Sequence, residues 1–284
     1  MLRKVRYLFE AIILLLGLAF FRLLPLDVAS SLGGRLARIL GPLSGAHRTA
    51  AKNLEMAFPD ISPYRKHQIL RGMWDNMGRV IGEYPHLSRP IMRRRITVDG
   101  LEYLGDIKQS GKGAFFASGH FANWEIIPLT AAIHNMPMAL IYRAANNPFV
   151  DKVIRRIRSP YSVAMYPKGR GGALSILKEI KSGRSVGMLV DQKLNDGLPV
   201  KFFGREAMTA TAVISLAAKM QVPVFMVRVV RTHGVHFHVS VEAPRHYAQD
   251  VDPVVAMQEL HTCFENWIRE YPSQWFWVHR RWGK

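Results

Sequence analysis

The sequence predicts an α/β fold with a mixed, mainly parallel sheet. From about residue 94, short apolar runs alternate with segments of helical periodicity, a pattern typical of parallel strand–helix units. Near the end, "VRVVRTHGVHFHVSVEA" predicts a hairpin turning at 232–234, so the sheet should end antiparallel. Hydrophobic residues make up 49% of the 284 residues, which is enough for a sizeable core.

The N-terminal segment carries an apolar stretch that predicts a membrane anchor. Three basic residues precede "AIILLLGLAFF", which contains no charge. Eleven residues are too few to cross a bilayer, which needs about 20. Extended over 8–26, the segment could just cross if Glu10 and Arg22 reach the headgroups. A signal peptide and an ordinary core helix are the alternatives, although no clear cleavage site follows.

We expect residues 1–26 to form this anchor and residues 27–284 to form a single domain. The domain should be helical over 27–93, where Ser62 is a candidate N-cap before Pro63. The helix that begins after Ser62 should have one hydrophobic face, formed by Ile69, Met73, Met77, Val80 and Ile81.

The α/β core is expected over 94–284, with strands and helices in alternation. The strands are short apolar runs, expected at 96–98, 114–118, 138–142, 162–165, 185–190, 222–230 and 235–241. Helices are expected at 101–109, 124–134, 148–158, 173–181, 211–219 and 253–269. No linker rich in Pro, Gly or Ser divides this core.

The charge balance indicates a polyanionic partner. Lys and Arg number 39 against 21 Asp and Glu, a net charge of +18, which attracts nucleic acid, anionic lipid or an acidic carrier protein. The apolar N-terminal helix favours the membrane over nucleic acid. The single cysteine, Cys263, excludes an internal disulfide and fits a reducing compartment. No Cys/His cluster is present, so we expect neither a metal nor another cofactor.

The stretch "FFASGHFANWEII" places chemistry-bearing residues at the end of a predicted buried strand. His120 follows Gly119 there, and functional groups in open α/β sheets gather beyond the carboxyl ends of strands. We expect His120 on a loop and Glu125 in the first turns of the next helix, because residues five apart on one helix face different directions. The carboxylate would then orient the imidazole, which could deprotonate a hydroxyl.

Two neighbours of His120 have simpler expected roles. Asn123 should fix the turn through a hydrogen bond to nearby backbone, and it is also a candidate substrate contact. Trp124 is expected to pack in the core. The alternative for His120 itself is an ordinary surface histidine with a satisfied partner.

A family resemblance enters at these residues. "HFANWE" resembles the H-x4-D/E signature of glycerolipid acyltransferases, and its H-F-x-N-W-E form is similar to the lipid A biosynthesis acyltransferases, the late lauroyl/myristoyl transferases. The similarity continues in "IYRAANNP", "YPKGRGGAL", "GMLVDQK", "FFGREAMTATA" and "WFWVHRRW". The short signature is weak alone, whereas these blocks keep the family's order over roughly residues 5–284.

The resemblance implies an αβα sandwich of the glycerolipid acyltransferase type. It also implies transfer of a fatty acyl group from acyl carrier protein to a hydroxyl of a lipid A precursor, at the cytoplasmic face of the inner membrane. His120 would be the general base and Glu125 its partner, and no acyl-enzyme would form. An acidic carrier and a phosphorylated acceptor both suit the charge of +18.

Two further blocks contain candidate binding residues for this substrate class. Arg143, with Asn146, follows a predicted strand and could bind phosphate or stabilise the thioester oxyanion. Lys168, Gly169 and Arg170 lie in "PKGRGGAL" at a predicted helix start, where free N–H groups and cations could bind an anion. Solvated charges are the alternative in both blocks.

Asp191 and Gln192 follow the predicted strand "SVGMLV" and could position a loop or an acceptor sugar, with a helix or turn cap as the alternative. The formal G-x-S-x-G pattern around Ser185 is not a nucleophile elbow, because its helix precedes and its strand follows. His236 and His238 share a strand face, and an exposed face is favoured over zinc because further ligands are lacking.

Two other functions stay open from the sequence. The same kind of enzyme could act on a lysophospholipid, an ornithine lipid or a glycolipid. A non-catalytic basic protein could instead bind anionic membrane or nucleic acid, with affinity that falls steeply with salt.

Overall fold

The computed structural model describes residues 2–105, 107, 111–167 and 170–283. Its helices are α1 (Leu2–Leu23), α2 (Leu26–Leu40), α3 (Gly45–Ala57), α4 (Pro63–Glu83), α5 (Pro90–Arg93), α6 (Ile126–Ile133), α7 (Pro148–Arg158), α8 (Arg170–Lys181), α9 (Ala212–Met220) and α10 (Pro253–Glu270). Short 3-10 helices lie at Gly41–Leu43, Tyr84–His86, Leu101–Leu104 and Pro272–Gln274.

The strands are β1 (Ile96–Asp99), β2 (Phe115–Ser118), β3 (Met138–Tyr142), β4 (Ser162–Pro167), β5 (Val186–Leu189), β6 (Lys193–Phe202), β7 (Arg205–Thr209), β8 (Val224–His233) and β9 (His236–Val241). In the described residues, seven of them form one sheet in the order β1-β9-β8-β2-β5-β3-β4. The β8–β9 pair is antiparallel and the other five pairs are parallel. The predicted α/β fold with a mixed, mainly parallel sheet is confirmed.

Strand β2 lies in the middle of this sheet and positions the site. All four of its residues are buried, as expected for a parallel strand covered on both faces. Phe115 is paired with Val186 of β5 on one side and with Val224 of β8 on the other. The chain leaves β2 at Ser118, so the residues that follow lie at the carboxyl edge of the sheet.

The β6–β7 hairpin was not predicted. Strand β6 contains Asn, Asp, Gly and Pro, which are depleted in strands, so its sequence lacks the usual apolar pattern. Tertiary contacts hold it instead. The indole N–H of Trp282 donates to the carbonyl of Phe202 at 3.1 Å, and the Arg281 guanidinium donates to the carbonyl of Met208 at 3.2 Å.

Several predicted boundaries agree with the structure. Strand β3 and helix α7 match the expected ranges, and Ser62 caps α4 by accepting a hydrogen bond from the backbone N–H of Arg65. Helix α6 begins at Ile126, two residues later than expected. Within the helix expected at 101–109, a 3-10 helix covers Leu101–Leu104 and residues 105 and 107 are α-helical, whereas residues 106 and 108–109 lie outside the described residues.

The N-terminal helices pack through small residues and expose apolar ones. Helix α2 lies so close to α4 that a Cβ built on Gly33 would stand 2.2 Å from the carbonyl oxygen of Gly78. Helix α1 is joined to α7, because the Asn147 amide donates to the carbonyl of Tyr7 at 2.8 Å and to Glu10 at 2.9 Å. Among the described helices, none combines the length and hydropathy that crossing a bilayer requires.

Candidate active site

His120 lies on the turn between β2 and α6, as predicted, and the turn is tightly held. Ala122 has a φ of 46°, an unfavourable value for a residue with a Cβ. Its N–H donates to the carbonyl of Gln274 at 2.8 Å, and its carbonyl accepts from the Asn76 amide at 2.9 Å. These contacts fix the conformation that presents the imidazole.

Asn123 stabilises the same turn through hydrogen bonds of its side chain. Its side-chain oxygen accepts from the backbone N–H of Glu125 at 3.2 Å, the contact to nearby backbone that was expected. Its amide donates to Glu83 at 2.8 Å. The residue is fully buried and is absent from the pocket walls, so a direct substrate contact does not fit its position.

The carboxylate that orients His120 is Asp191. The Nδ1–H of His120 donates to Asp191 Oδ1 at 2.8 Å, and the backbone N–H of His120 donates to Asp191 Oδ2 at 2.8 Å. The indole N–H of Trp275 donates to the same Oδ2 at 2.9 Å. With Nδ1 protonated, the lone pair of His120 is on Nε2, which lies 3.3 Å from the Gln192 amide nitrogen.

Asp191 is held ionised at this position. Its burial would raise the pKa, but the charge of His120 and the hydrogen bonds from His120 and Trp275 outweigh burial and lower the pKa to about 2. The side chain is only 2% exposed. Of its two expected roles, the positioning of a loop fits these contacts, because Asp191 binds both the backbone and the imidazole of His120. Contact with an acceptor sugar stays a prediction.

The predicted hydrogen bond between His120 and Glu125 is also wrong. Glu125 is buried, and its carboxylate accepts from Arg158 Nε at 2.9 Å and from the Tyr161 hydroxyl at 3.0 Å, with a further bond from Arg158 Nη2. Burial and the Glu125 charge raise the pKa of Tyr161 well above its usual value, so this hydroxyl stays protonated and donates. Glu125 therefore binds the Arg158 guanidinium and not the His120 imidazole.

His120, Glu125 and Arg158 line one cavity, the active-site pocket, of about 340 Å³. Its polar end also contains Ser118 and Gln192. The apolar walls are formed by Phe116, Trp124, Ile127, Pro128, Met138, Leu140, Ile141, Gly187, Met188, Leu189 and Phe276. Trp124 thus lies half-buried in the wall, 5.0 Å from the His120 ring, and not in the core as expected.

The other predicted binding residues have different positions. Arg143 is exposed and lines the pocket, whereas Asn146 is exposed and is absent from its walls. Gln192 lines the pocket beside His120. Lys168 and Gly169 lie outside the described residues, and Arg170 begins α8.

Sequence reasoning missed Arg158, Tyr161 and the role of Asp191. The position of Asp191 in the sequence did contain a signal. Strands β2 and β5 are neighbours with Ser118 opposite Leu189, so His120 and Asp191 each lie two residues after the end of their strand. This relation can be recognised only when the order of the strands in the sheet is known. Arg158 ends an exposed basic helix, "PFVDKVIRRIR", and nothing in that pattern distinguishes it from its neighbours.

The C-terminal segment packs against the turn that carries His120. Phe276 packs 5.6 Å from the His120 ring, and its N–H donates to the His120 carbonyl at 3.0 Å. Arg281 is fully buried, donates to Thr209 at 2.7 Å and lies 3.1 Å from His261 Nε2. Burial lowers the pKa of Arg281 to about 10, so the guanidinium stays charged at neutral pH. The segment is therefore part of the packed structure behind His120.

A carboxylate-oriented histidine whose Nε2 lies beside the Gln192 amide, in the lining of a mainly apolar cavity, suits the class of enzymes that activate a hydroxyl beside an aliphatic chain. Comparison with known proteins agrees with this class. The family model described as "Bacterial lipid A biosynthesis acyltransferase" matches residues 1–284, and the chain belongs to that family.

Three curated relatives show the same similarity over most of their length. The chain is 27% identical to the lipid A biosynthesis palmitoleoyltransferase of Escherichia coli (strain K12), covering 91% of this chain and 86% of the relative. Identity and coverage are the same for a lipid A biosynthesis acyltransferase of Shigella flexneri. A lipid A biosynthesis acyltransferase of Haemophilus influenzae is 24% identical, covering 94% and 88%. Family membership supports acyl transfer to lipid A.

Proposed function

We propose that this protein transfers a fatty acyl group from an acyl carrier protein thioester to a hydroxyl of a lipid A precursor. The observation that carries the proposal is the His120–Asp191 pair, with His120 in the lining of a mainly apolar pocket that can hold an acyl chain. Family membership supports the acceptor class. The acidic carrier protein is a fitting donor for a chain with a net charge of +18.

The reaction needs one base and no covalent enzyme intermediate. His120 Nε2 takes the proton from the acceptor hydroxyl, and the oxygen attacks the thioester carbonyl carbon. The tetrahedral intermediate collapses with breakage of the C–S bond. The imidazolium returns its proton to the departing thiolate, which leaves an ester on the acceptor and a free thiol on the carrier.

Charge on the tetrahedral oxygen requires fixed donors in the pocket. Arg158 is one, held in place by Glu125. The Ser118 hydroxyl is another, since it is buried, lines the pocket and has no hydrogen-bond partner among the described residues. Exposed Arg143 at the pocket wall is placed for a phosphate of the acceptor or of the carrier's prosthetic group.

We further propose that the protein works at the cytoplasmic face of the inner membrane, with α1 in contact with lipid. Large apolar side chains of α1 are at least 44% exposed, a surface that water does not favour. They are Val5, Leu8, Phe9, Ile12, Ile13, Leu15, Leu16, Phe20 and Leu23. Basic residues at the start of α1 suit an anionic leaflet.

The test is an acyl-transfer assay. Purified full-length protein is incubated with acyl carrier thioesters and candidate lipid acceptors, and mass spectrometry locates the added acyl group. His120→Ala should abolish the gain in mass, while His246→Ala, which changes an exposed histidine, should not. Transfer by His120→Ala at the wild-type rate, or addition only to lysophospholipid, ornithine lipid or glycolipid, would contradict the proposal.

A further inference from the structure

A second pocket lies between the first helix and α7. This α1–α7 groove has a volume of about 820 Å³. Leu8, Ile12 and Leu15 line it from α1, and Phe149, Val153 and Ile157 line it from α7. Asn147 at the start of α7 is hydrogen-bonded to the backbone of Tyr7, so the two helices that line the groove are joined. The groove is thus a mainly apolar trench between two connected helices.

Three cations stand at this trench. Arg22, Lys152 and Arg156 all line it and are all exposed. In the described part of the chain, neither Lys152 nor Arg156 pairs with a carboxylate, and Arg22 donates only to the carbonyl of Pro85, at 2.9 Å. Cations without counter-charges beside an apolar trench match a ligand with a phosphate head and an aliphatic tail.

The groove is separate from the active-site pocket. The two share no lining residue among those described. Tyr84 lines the groove and Arg158 lines the pocket, and the two side chains are close enough for the Arg158 charge to act on the Tyr84 hydroxyl. A molecule in the groove would contact Tyr84 without placing a hydroxyl at His120.

We propose that the α1–α7 groove binds one anionic glycerophospholipid of the surrounding bilayer. Its phosphate would lie on Lys152, Arg156 and Arg22, and an acyl chain would follow α1. The proposal rests on the proposed contact of α1 with lipid and is independent of acyl transfer. Such a lipid would hold α1 against α7 and would contact Tyr84 in the groove.

The test counts lipids bound to the full chain. Wild-type protein is equilibrated with mixed micelles of phosphatidylglycerol and phosphatidylcholine in equal amounts, and native mass spectrometry measures what stays bound. One phosphatidylglycerol per chain should be retained in preference to phosphatidylcholine. The double variant Lys152→Gln/Arg156→Gln should lower the affinity about 25-fold, about fivefold for each cation removed.

Two matched controls separate a site from general attraction. Lys181→Gln/Lys219→Gln removes two exposed cations that do not line the groove, and it should retain the lipid as the wild type does. Ala19→Trp fills the groove without changing charge and should release the lipid. Ile13→Trp puts the same ring on an exposed part of α1 that does not line the groove, and should have no effect.

Four results would overturn the proposal. They are equal losses in both double variants, full retention by Ala19→Trp, equal retention of phosphatidylcholine, and displacement of phosphatidylglycerol by a lipid A precursor, which would make the groove an acceptor site. The acyl-transfer assay has a separate readout. If the protein retains phosphatidylglycerol but transfers no acyl group, the proposed function alone is contradicted. If it transfers the acyl group but retains no phosphatidylglycerol, only the proposed lipid site in the groove is contradicted.

Discussion

Asp191 accepts three hydrogen bonds while almost entirely shielded from water, and these bonds offset the cost of burying its charge. Both of its oxygens are used by fixed donors, so the carboxylate cannot rotate away from the imidazole. Gly119 permits this approach, since a Cβ there would lie 3.2 Å from Asp191 Oδ2. The residue pair is therefore fixed before any substrate binds.

Replacing Asp191 with Asn tests the assignment of the orienting carboxylate. The amide can offer an N–H to Nδ1, which favours the tautomer with the proton on Nε2 and removes the base. We expect kcat to fall by about 10²- to 10⁴-fold. Asp196→Asn, the same change at an exposed position, should keep full activity. A loss of less than about threefold in Asp191→Asn would leave the role of Asp191 without support.

The buried histidine behind the site should make the protein sensitive to acid. His261 Nδ1 donates to the carbonyl of Lys201 at 2.8 Å, and Nε2 accepts from Arg281. Burial and the Arg281 charge lower the pKa of His261 from 6.5 to about 4. As pH falls from 6.5 towards 4, the unfolded chain gains a proton that the folded chain does not, so stability is lost in that window.

The loss of stability at low pH can be tested with His261→Gln, which keeps a hydrogen-bond donor and an acceptor but does not titrate. The free energy of unfolding of the wild type should fall by about 2 to 3 kcal/mol more than that of the variant between pH 7.5 and pH 4.5. Urea unfolding at the two pH values measures it. The exposed His246→Gln should keep the wild-type slope. Equal slopes for His261→Gln and the wild type would contradict the lowered pKa.

At the scale of elements, α4 holds the catalytic turn through a buried ion network. Glu83, at the end of α4, is fully buried and pairs with Arg231 of β8, with one contact at 3.0 Å. The same carboxylate accepts from Asn123 in the turn and from Ser30 of α2. Arg231 also donates to Asn76, whose amide binds Ala122. Helix, strand and turn are thus joined through one carboxylate.

Glu83→Gln should therefore cost far more stability than a comparable surface change. Loss of one partner from a buried pair leaves an uncompensated charge, so we expect about 3 to 5 kcal/mol in urea unfolding. Glu55→Gln breaks the exposed pair with Lys66 and should cost at most about 1 kcal/mol.

The double variant Glu83→Gln/Arg231→Met distinguishes charge from packing. Removing the orphaned cation should recover part of the stability lost in Glu83→Gln. Two results would contradict the role of the network in holding α4 against the turn. One is an equal loss of unfolding free energy in Glu83→Gln and Glu55→Gln, and the other is a further loss when Arg231→Met is added to Glu83→Gln.

The same elements show which parts of the structure the sequence could predict. Strand β3, helix α7 and the β8–β9 hairpin follow from local apolar patterns, and the loop position of His120 follows from a glycine after a buried strand. The β6–β7 hairpin does not, because its strands are held by distant contacts. The partner of His120 was misassigned for a similar reason, since Asp191 lies 71 residues away and meets it only through strand order.

At the scale of the whole molecule, the active-site pocket shares three side chains, here called the partition, with a small third cavity. The partition consists of Phe116, Ile127 and Met138, and the third cavity has a volume of about 30 Å³. That cavity extends towards β1, β8 and β9, where Val98, Val227 and Val239 line it. The three shared side chains therefore set the depth available to an aliphatic chain.

Changing the partition should change the preferred acyl chain length. Met138→Ala would join the two cavities, so longer acyl groups should gain in kcat/KM relative to shorter ones. Gly187→Ala acts the other way. A Cβ at Gly187 would stand 2.5 Å from the Met138 sulfur and 3.1 Å from Leu140 Cδ2. All three residues line the pocket, so the added methyl group should reduce its volume and favour shorter chains.

The measurement is competition between carrier thioesters of different chain length, with the ester products separated by mass. Met226→Ala is the matched control, because it removes a buried methionine from β8 that lines neither cavity. It should cost about 2 to 5 kcal/mol of stability and leave the product profile unchanged. Opposite shifts in Met138→Ala and Gly187→Ala, with none in Met226→Ala, can only come from the depth of the pocket. Shifts in the same direction, or no shift in either variant, would contradict the role of the partition in acyl chain length.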